Sequence, residues 1–284
     1  DLFNYLFDAR IVTLYHQNPY FFKALDYPLD PWINFMRWTH RTYPYGPVWL
    51  SLTVPFSFLG MGFFLPTLFL FKSLMVAAYL GTIYFMGKIT EKLNPERKLL
   101  TMALFAFNPL ILIESLVSAH NDIVMICLAV MSFYFLLEKK YLPALIFFLL
   151  SIGIKFATIF LLPVFILEFL RHSELGSESV LIRMLKLIQH DVIVTASTFL
   201  MAIAVILASF RLEFQPWYLL WVLPFVFLSG KKWLIVLSVI VSLGVMLQYL
   251  PFLYSGNWNP PIPQIKIWII FLSVIVGSLF ALAV

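Results

Sequence analysis

Apolar runs separated by short polar connectors recur from residue 64 to residue 284, and several are long enough to cross a hydrocarbon core. In lipid every backbone amide must find its partner inside the protein, which restricts the chain to helices or a closed barrel. A barrel would read as short segments of alternating polarity, and none appears. The expectation is therefore an all-α, polytopic helical membrane protein. Composition agrees: 12% of residues are charged and 62% are hydrophobic, whereas a soluble domain is about a quarter charged. The single cysteine, Cys127, lies within an apolar run, so the sequence offers no intrachain disulfide.

The formal net charge is +5, from 19 Lys and Arg against 14 Asp and Glu. The basic residues fall in small groups between apolar runs, which is positive-inside anchoring rather than a nucleic-acid surface. Basic connectors at 88–98, 138–140, 171–186 and 230–232 are placed in the cytoplasm. Connectors poor in Lys and Arg, at 114–122, 211–215 and 254–266, then fall outside. The expected spans are 64–87, 99–114, 122–137, 191–209, 216–229, 233–253 and 265–284. Residues 141–170 break the alternation, since they lie between two basic connectors. A broken or re-entrant helix pair with Lys155 near its apex restores the parity, and a single tilted helix is the alternative.

The chain is read as one transmembrane domain, with residues 1–60 as an outer loop and 64–284 as the bundle. Within the loop, 1–17 and 46–59 are expected as interfacial helices, separated by the turn signals Asn18-Pro19-Tyr20 and Asp30-Pro31-Trp32. Because the sequence opens on Asp1 and closes at Val284 inside an apolar run, a fragment lacking an N-terminal helix is expected.

A polar island at 114–122 stands out between two apolar segments. It holds Glu114, His120, Asn121 and Asp122. Ionisable groups at a membrane edge cost several kcal/mol each, on the order of 3, so such a cluster marks a candidate functional site. The topology gathers other polar groups beside it: Asp1, Asp8 and Arg10 from the first helix, Arg41 and Tyr45 from the connector, and Arg211, Gln215, Trp217 and Tyr218 from a later connector. Lys155 would approach from within the membrane, while Lys72 is assigned no role. A carboxylate can act as general base toward a hydroxyl. Arg and Lys can neutralise a phosphate leaving group, and aromatic faces suit sugar rings. The set fits transfer of a sugar from a lipid phosphate to an acceptor hydroxyl. His16, His40 and His120 lack the spacing of a zinc site, so no metal is expected.

Five motifs, in order, carry a family resemblance. They are Asp1-Leu-Phe-Asn-Tyr5-Leu-Phe-Asp8-Ala-Arg10 with Asn18-Pro19-Tyr20; Tyr45-Gly46-Pro47-Val48-Trp49; Asn108-Pro109-Leu110 running through Glu114 to His120-Asn121-Asp122; Ile154-Lys155-Phe156 with Leu161-Leu162-Pro163; and Gln215 through Pro224. With these the chain resembles the membrane-embedded mannosyltransferases of the GT-C superfamily. Most similar are the polyprenol-phosphate-mannose-dependent enzymes, with the GPI mannosyltransferases more distant. The resemblance implies an inverting transfer of mannose from a polyprenyl-phosphate donor to a glycolipid or glycan acceptor, on the extracytoplasmic side of the bilayer. It places the catalytic base on Asp1, with Asp8 in reserve. Lys155, with Arg41 or Arg211, would meet the donor phosphate. His120, Asn121 and Asp122 would line a sugar or acceptor pocket, and Gln215 to Tyr218 its opposite wall. No cofactor and no nucleic-acid partner is implied. A secondary transporter or lipid flippase stays open as the alternative, since it too would carry a broken helix and intramembrane charge.

Overall fold

The computed structural model describes residues 1–172 and 190–284, and every regular element among them is helical. From residue 173 onward the basic connector expected at 171–186 lies outside the described residues. The chain divides into two units: Asp1–Thr82 with Ile113–Ile159, and Ile83–Leu112 with Phe160–Val284.

The first unit opens with helix α1 (Leu2–Thr13), packed on α2 (Pro47–Leu59). Both helices expected within residues 1–60 stand where the sequence places them. Helix α1 is enclosed more completely than an interfacial helix needs to be, with Leu2, Asn4, Tyr5, Leu6, Phe7, Asp8, Ala9 and Ile11 all buried. The expected turn signals act as turns. Asn18 accepts from the Tyr20 amide at 3.0 Å, and Asp30 caps the short 3-10 helix Pro31–Phe35 by accepting from the Trp32 amide at 2.9 Å. Helix α2 starts on Gly46 with Pro47 in its first turn, where a missing N–H costs nothing.

The remaining core of this unit is α6 (Asp122–Leu137) against α7 (Tyr141–Ile154). Helix α6 is buried nearly all round, which explains why its sequence is apolar on every face. Hydroxyls staple the pair: Ser132 donates to the Ala144 carbonyl, and Ser151 donates to the Met125 carbonyl at 2.8 Å. Helix α7 stops at Lys155, whose backbone is extended (φ −146°, ψ 141°), and the chain resumes as a 3-10 helix over Phe156–Leu161. The break expected at Lys155 is present. Backbone joins it to the start of α2, because the Gly46 amide donates to the Ile154 carbonyl at 3.0 Å.

Helix α3 (Phe64–Leu93) passes from the first unit into the second. The second unit continues with α4 (Lys98–Ala106) and α5 (Pro109–Leu112). The span expected at 99–114 is not one straight helix, for it bends by 55° between Ala106 and Pro109. Pro109 has no N–H to continue the ladder, and Asn108 accepts from the amides of Leu110 and Ile111 at 3.0 and 3.3 Å to start a new helix. Then come α8 (Leu162–His172), α9 (His190–Leu212), a 3-10 helix Pro216–Trp221, α10 (Leu223–Ser229), α11 (Lys232–Met246), α12 (Leu250–Ser255) and α13 (Ile262–Leu282). Helices α11 and α13 pack through small residues, with Gly244 against Ser273 and Gly277 against Leu237 and Val241.

Seven spans were expected. Among the described residues four helices are long and apolar enough to cross a membrane, Phe64–Leu93, Asp191–Leu212, Lys232–Ser255 and Ile262–Leu282, or five if the bent pair counts as one. The segment 122–137 forms a helix of 16 residues, about 24 Å long against a hydrocarbon core of roughly 30 Å. The segment 216–229 divides into a 3-10 turn and seven α-helical residues. Hydropathy records apolarity, and a helix buried in protein is as apolar as one facing lipid.

Two glycines let the start of α2 sit against the end of α7: a Cβ on Gly46 would collide with the Gly153 carbonyl, and one on Gly153 with Val48. Gly46→Ala is therefore expected to destabilise the protein by about 1–3 kcal/mol, read as a lower melting temperature in detergent. Leu279→Ala, on an exposed side chain, should leave that temperature nearly unchanged.

Candidate functional site

The site grows from the turn between α5 and α6. Residues Ile113–Val117 form a π-helical turn, closed by the Ser118 amide on the Ile113 carbonyl at 2.8 Å. Such wide turns leave carbonyls without a standard partner and recur at functional sites. Lys72 supplies a partner here, donating to the carbonyls of Leu116 and Val117 at 2.7 and 2.8 Å. Ala119 then takes a left-handed backbone (φ 55°), and the His120 amide folds back to the Glu114 carbonyl at 2.9 Å. The outcome is a compact loop that buries Glu114, His120, Asn121 and Asp122 together.

Asp122 opens α6, where the amide ends of the first turn favour a negative charge. Lys155 reaches it from the break after α7, with Nζ 2.6 Å from Oδ2. The same ammonium lies 5.4 Å from the centre of the Tyr45 ring. Tyr45 is held by its neighbours: Tyr20 donates to its carbonyl at 3.1 Å, and Tyr5 meets its ring edge-on at 5.2 Å. Tyr5 also packs edge-on against Trp49 and donates to the Asn121 side chain at 3.2 Å.

From α1 comes Asp1. Arg41 Nη2 lies 3.4 Å from Asp1 Oδ1 and 3.3 Å from the Tyr45 hydroxyl, so one guanidinium bridges the two. The other Asp1 oxygen lies 3.3 Å from His120 Nδ1, and His120 Nε2 lies 3.3 Å from Glu114 Oε2. Asp1, Arg41, Tyr45, Glu114, His120, Asn121, Asp122 and Lys155 thus form one connected cluster. Burial holds the His120 imidazolium below its ordinary range, with the Glu114 carboxylate working in the opposite direction. Asp8, also buried, is pushed up to about 7 by burial, partly offset by Arg41.

Arg10 makes a separate set of contacts within the first unit. It binds Asp30 at 2.6 Å, reaches the Gly62 carbonyl at 3.3 Å and covers the Trp32 ring at 4.1 Å, clamping the segment between α1 and α3. Arg211, Gln215, Trp217 and Tyr218 belong to the second unit. There Arg211 is in the last turn of α9, Gln215 precedes the 3-10 helix, and Tyr218 packs on Trp221 at 4.7 Å with Trp217 edge-on at 6.0 Å.

Tyr5, Trp49 and Lys72 contribute more than their sequence context suggested. Asp1, Tyr5 and Asp8 stand at i, i+4 and i+7, one stripe of a helix. That stripe was readable, but its aromatic member looked like an interfacial anchor. Lys72 sits in a long apolar run, and nothing local shows that it reaches carbonyls more than forty residues away.

Asp8 also makes stability depend on pH. Its ordinary value is 3.8 and its folded value about 7, so between these limits the folded chain binds the extra proton. That contribution is complete below about pH 4 and is lost as pH rises through 7. Asp8→Asn is expected to remove the fall, making the variant's melting temperature flatter than wild type between pH 5 and 8. The difference should be on the order of a few kcal/mol in unfolding free energy.

Comparison with known proteins adds one finding. Residues 1–171 match the family described as alpha-(1->6)-mannopyranosyltransferase, N-terminal domain. No curated protein and no solved structure matches the chain. The match contains all eight clustered residues and ends before Arg211. It covers more than half of the 284 residues and agrees with the resemblance read from the five motifs, so this integral-membrane chain is a glycosyltransferase that belongs to the alpha-(1->6)-mannopyranosyltransferase family of GT-C type.

Proposed function

We propose that this mannosyltransferase takes its sugar from a polyprenyl-phosphate donor and passes it, with inversion, to a hydroxyl of a glycolipid or glycan at the extracytoplasmic face. The observation that supports this reading best is the arrangement around Tyr45. Two cations, Arg41 and Lys155, approach the same aromatic side chain, and Arg41 joins it to one carboxylate, Asp1.

In this reading Asp1 is the general base. It draws the proton from the acceptor hydroxyl as that oxygen attacks the anomeric carbon from the side opposite the phosphate. The bond from the anomeric carbon to the phosphate oxygen breaks, and the lipid phosphate leaves carrying the electron pair. Its charge is met by Arg41, through a planar fork, and by Lys155, as a point charge. Preorganised cations favour the transition state because the leaving oxygen gains charge there. A phosphate is a good leaving group, so the reading invokes neither an acid catalyst nor a metal. Lys155 is already paired with Asp122, which fixes its head group before substrate arrives. Asn121 and Asp122 then offer an amide and a carboxylate to sugar hydroxyls.

Asp1→Asn should lower turnover about 10²–10⁴-fold, the range for losing a general base, while polyprenyl-phosphate binding stays within about twofold. A reconstituted assay with labelled polyprenyl-phosphate mannose checks this, and near-normal turnover would rule Asp1 out. Arg41→Ala should instead raise the donor KM about 10–100-fold, as expected when a hydrogen bond between charged partners is lost. An unchanged KM would remove Arg41 from the phosphate site.

A further inference from the structure

The chain Asp1–His120–Glu114 has a direction. The three side chains are 13%, 6% and 0% exposed, so the chain runs from the least covered group to one sealed in protein. Asp1 Oδ2 lies 3.3 Å from Nδ1 of the imidazole and Glu114 Oε2 lies 3.3 Å from Nε2, both at ion-pair distance. Loop integrity does not require this arrangement, because the His120 backbone amide already ties the loop to the Glu114 carbonyl. Other charges bear on the ring: Asp122 and Lys155 act on it through space, and Arg41 holds the far oxygen of Asp1. Tyr5 holds the neighbouring Asn121.

A base that has taken a proton must lose it before the next turnover, and in a covered site the bound product stands in the way of water. A neutral imidazole beside the base removes that difficulty, provided its free lone pair points at the base. We infer that Glu114 fixes His120 in the tautomer with its proton on Nε2, and that Nδ1 then takes from Asp1 the proton drawn from the acceptor hydroxyl. This rests on the reading of Asp1 as the base. Two bonds change in this step: the Asp1 O–H breaks and the Nδ1–H forms. Asp1 returns to a carboxylate, and His120 becomes an imidazolium lying between two carboxylates. The proton leaves to water when product departs. His120 and Glu114 are positioning residues for the base and touch no sugar atom in this scheme. Burial keeps the resting ring neutral and therefore able to accept.

The test uses the full-length enzyme in lipid nanodiscs with labelled polyprenyl-phosphate mannose, comparing wild type with His120→Gln, Glu114→Gln and Asp1→Asn. His120→Gln keeps a polar side chain in the loop but cannot carry a proton. The expected result is a kcat about 10–100-fold lower for His120→Gln and Glu114→Gln, with donor KM within about twofold and the acid limb of the kcat profile moved to lower pH. Wild-type kcat and pH profile in both variants, with Asp1→Asn inactive, would overturn the relay and leave the base in place. An active Asp1→Asn would overturn both. Should the variants lose donor binding, the wild-type protein decides by ¹⁵N-histidine resonance at neutral pH. A His120 proton on Nε2 supports the relay, and a proton on Nδ1 overturns it.

Discussion

The ion pair between Lys155 and Asp122 is the contact on which the geometry of the first unit turns. At 2.6 Å, with the Asp122 side chain fully covered, neither partner can be removed without leaving a charge stranded in protein, a loss of roughly 3–5 kcal/mol. It joins the two breaks in helical order that matter most, the start of α6 and the end of α7. A continuous helix through Lys155 would have carried the ammonium away along a helical face. The extended backbone at Lys155 instead aims it at the helix start, and the Gly46–Gly153 approach sets Tyr45 beside it.

Irregular backbone is concentrated around this pair. A π-turn, a left-handed alanine and an extended lysine lie within the same unit, and each leaves backbone groups that a regular helix would have satisfied. The remedy at the π-turn comes from a distance, through the ammonium of Lys72. In an apolar setting an unsatisfied carbonyl costs more than in water, so a lysine placed to meet two of them stabilises a loop with poor local propensity. Rigidity follows, and rigidity is what a set of charges needs if it is to meet a substrate without rearranging.

Much of this was legible in the residues themselves. Asn18-Pro19, Asp30-Pro31 and Gly46-Pro47 each marked a boundary that the backbone realises, because proline and its capping neighbour act within a few residues, whereas the break at Asn108-Pro109 fell inside an expected span. The break at Lys155 could be argued from charge parity alone. Hydropathy counted seven spans where four or five helices among the described residues have the length to cross, since a buried helix such as Asp122–Leu137 carries the same apolar signature as a lipid-facing one. Arg10 was grouped with the site because it shares a helix with Asp1 and Asp8. Its partner Asp30 lies twenty residues on, outside the reach of any helical spacing.

What the amino-acid order determined by itself was therefore class and punctuation: a helical membrane protein, several of the points where its helices start and stop, and which polar residues were too costly to be idle. Apolarity, proline geometry and the price of ionisable groups near lipid are local properties, written residue by residue. Tertiary structure alone decided the pairings. Lys155 with Asp122, Lys72 with the π-turn, and His120 between Asp1 and Glu114 join residues up to 119 positions apart. Such contacts depend on how helices pack in space, and packing is a property of surfaces that no single stretch of chain contains.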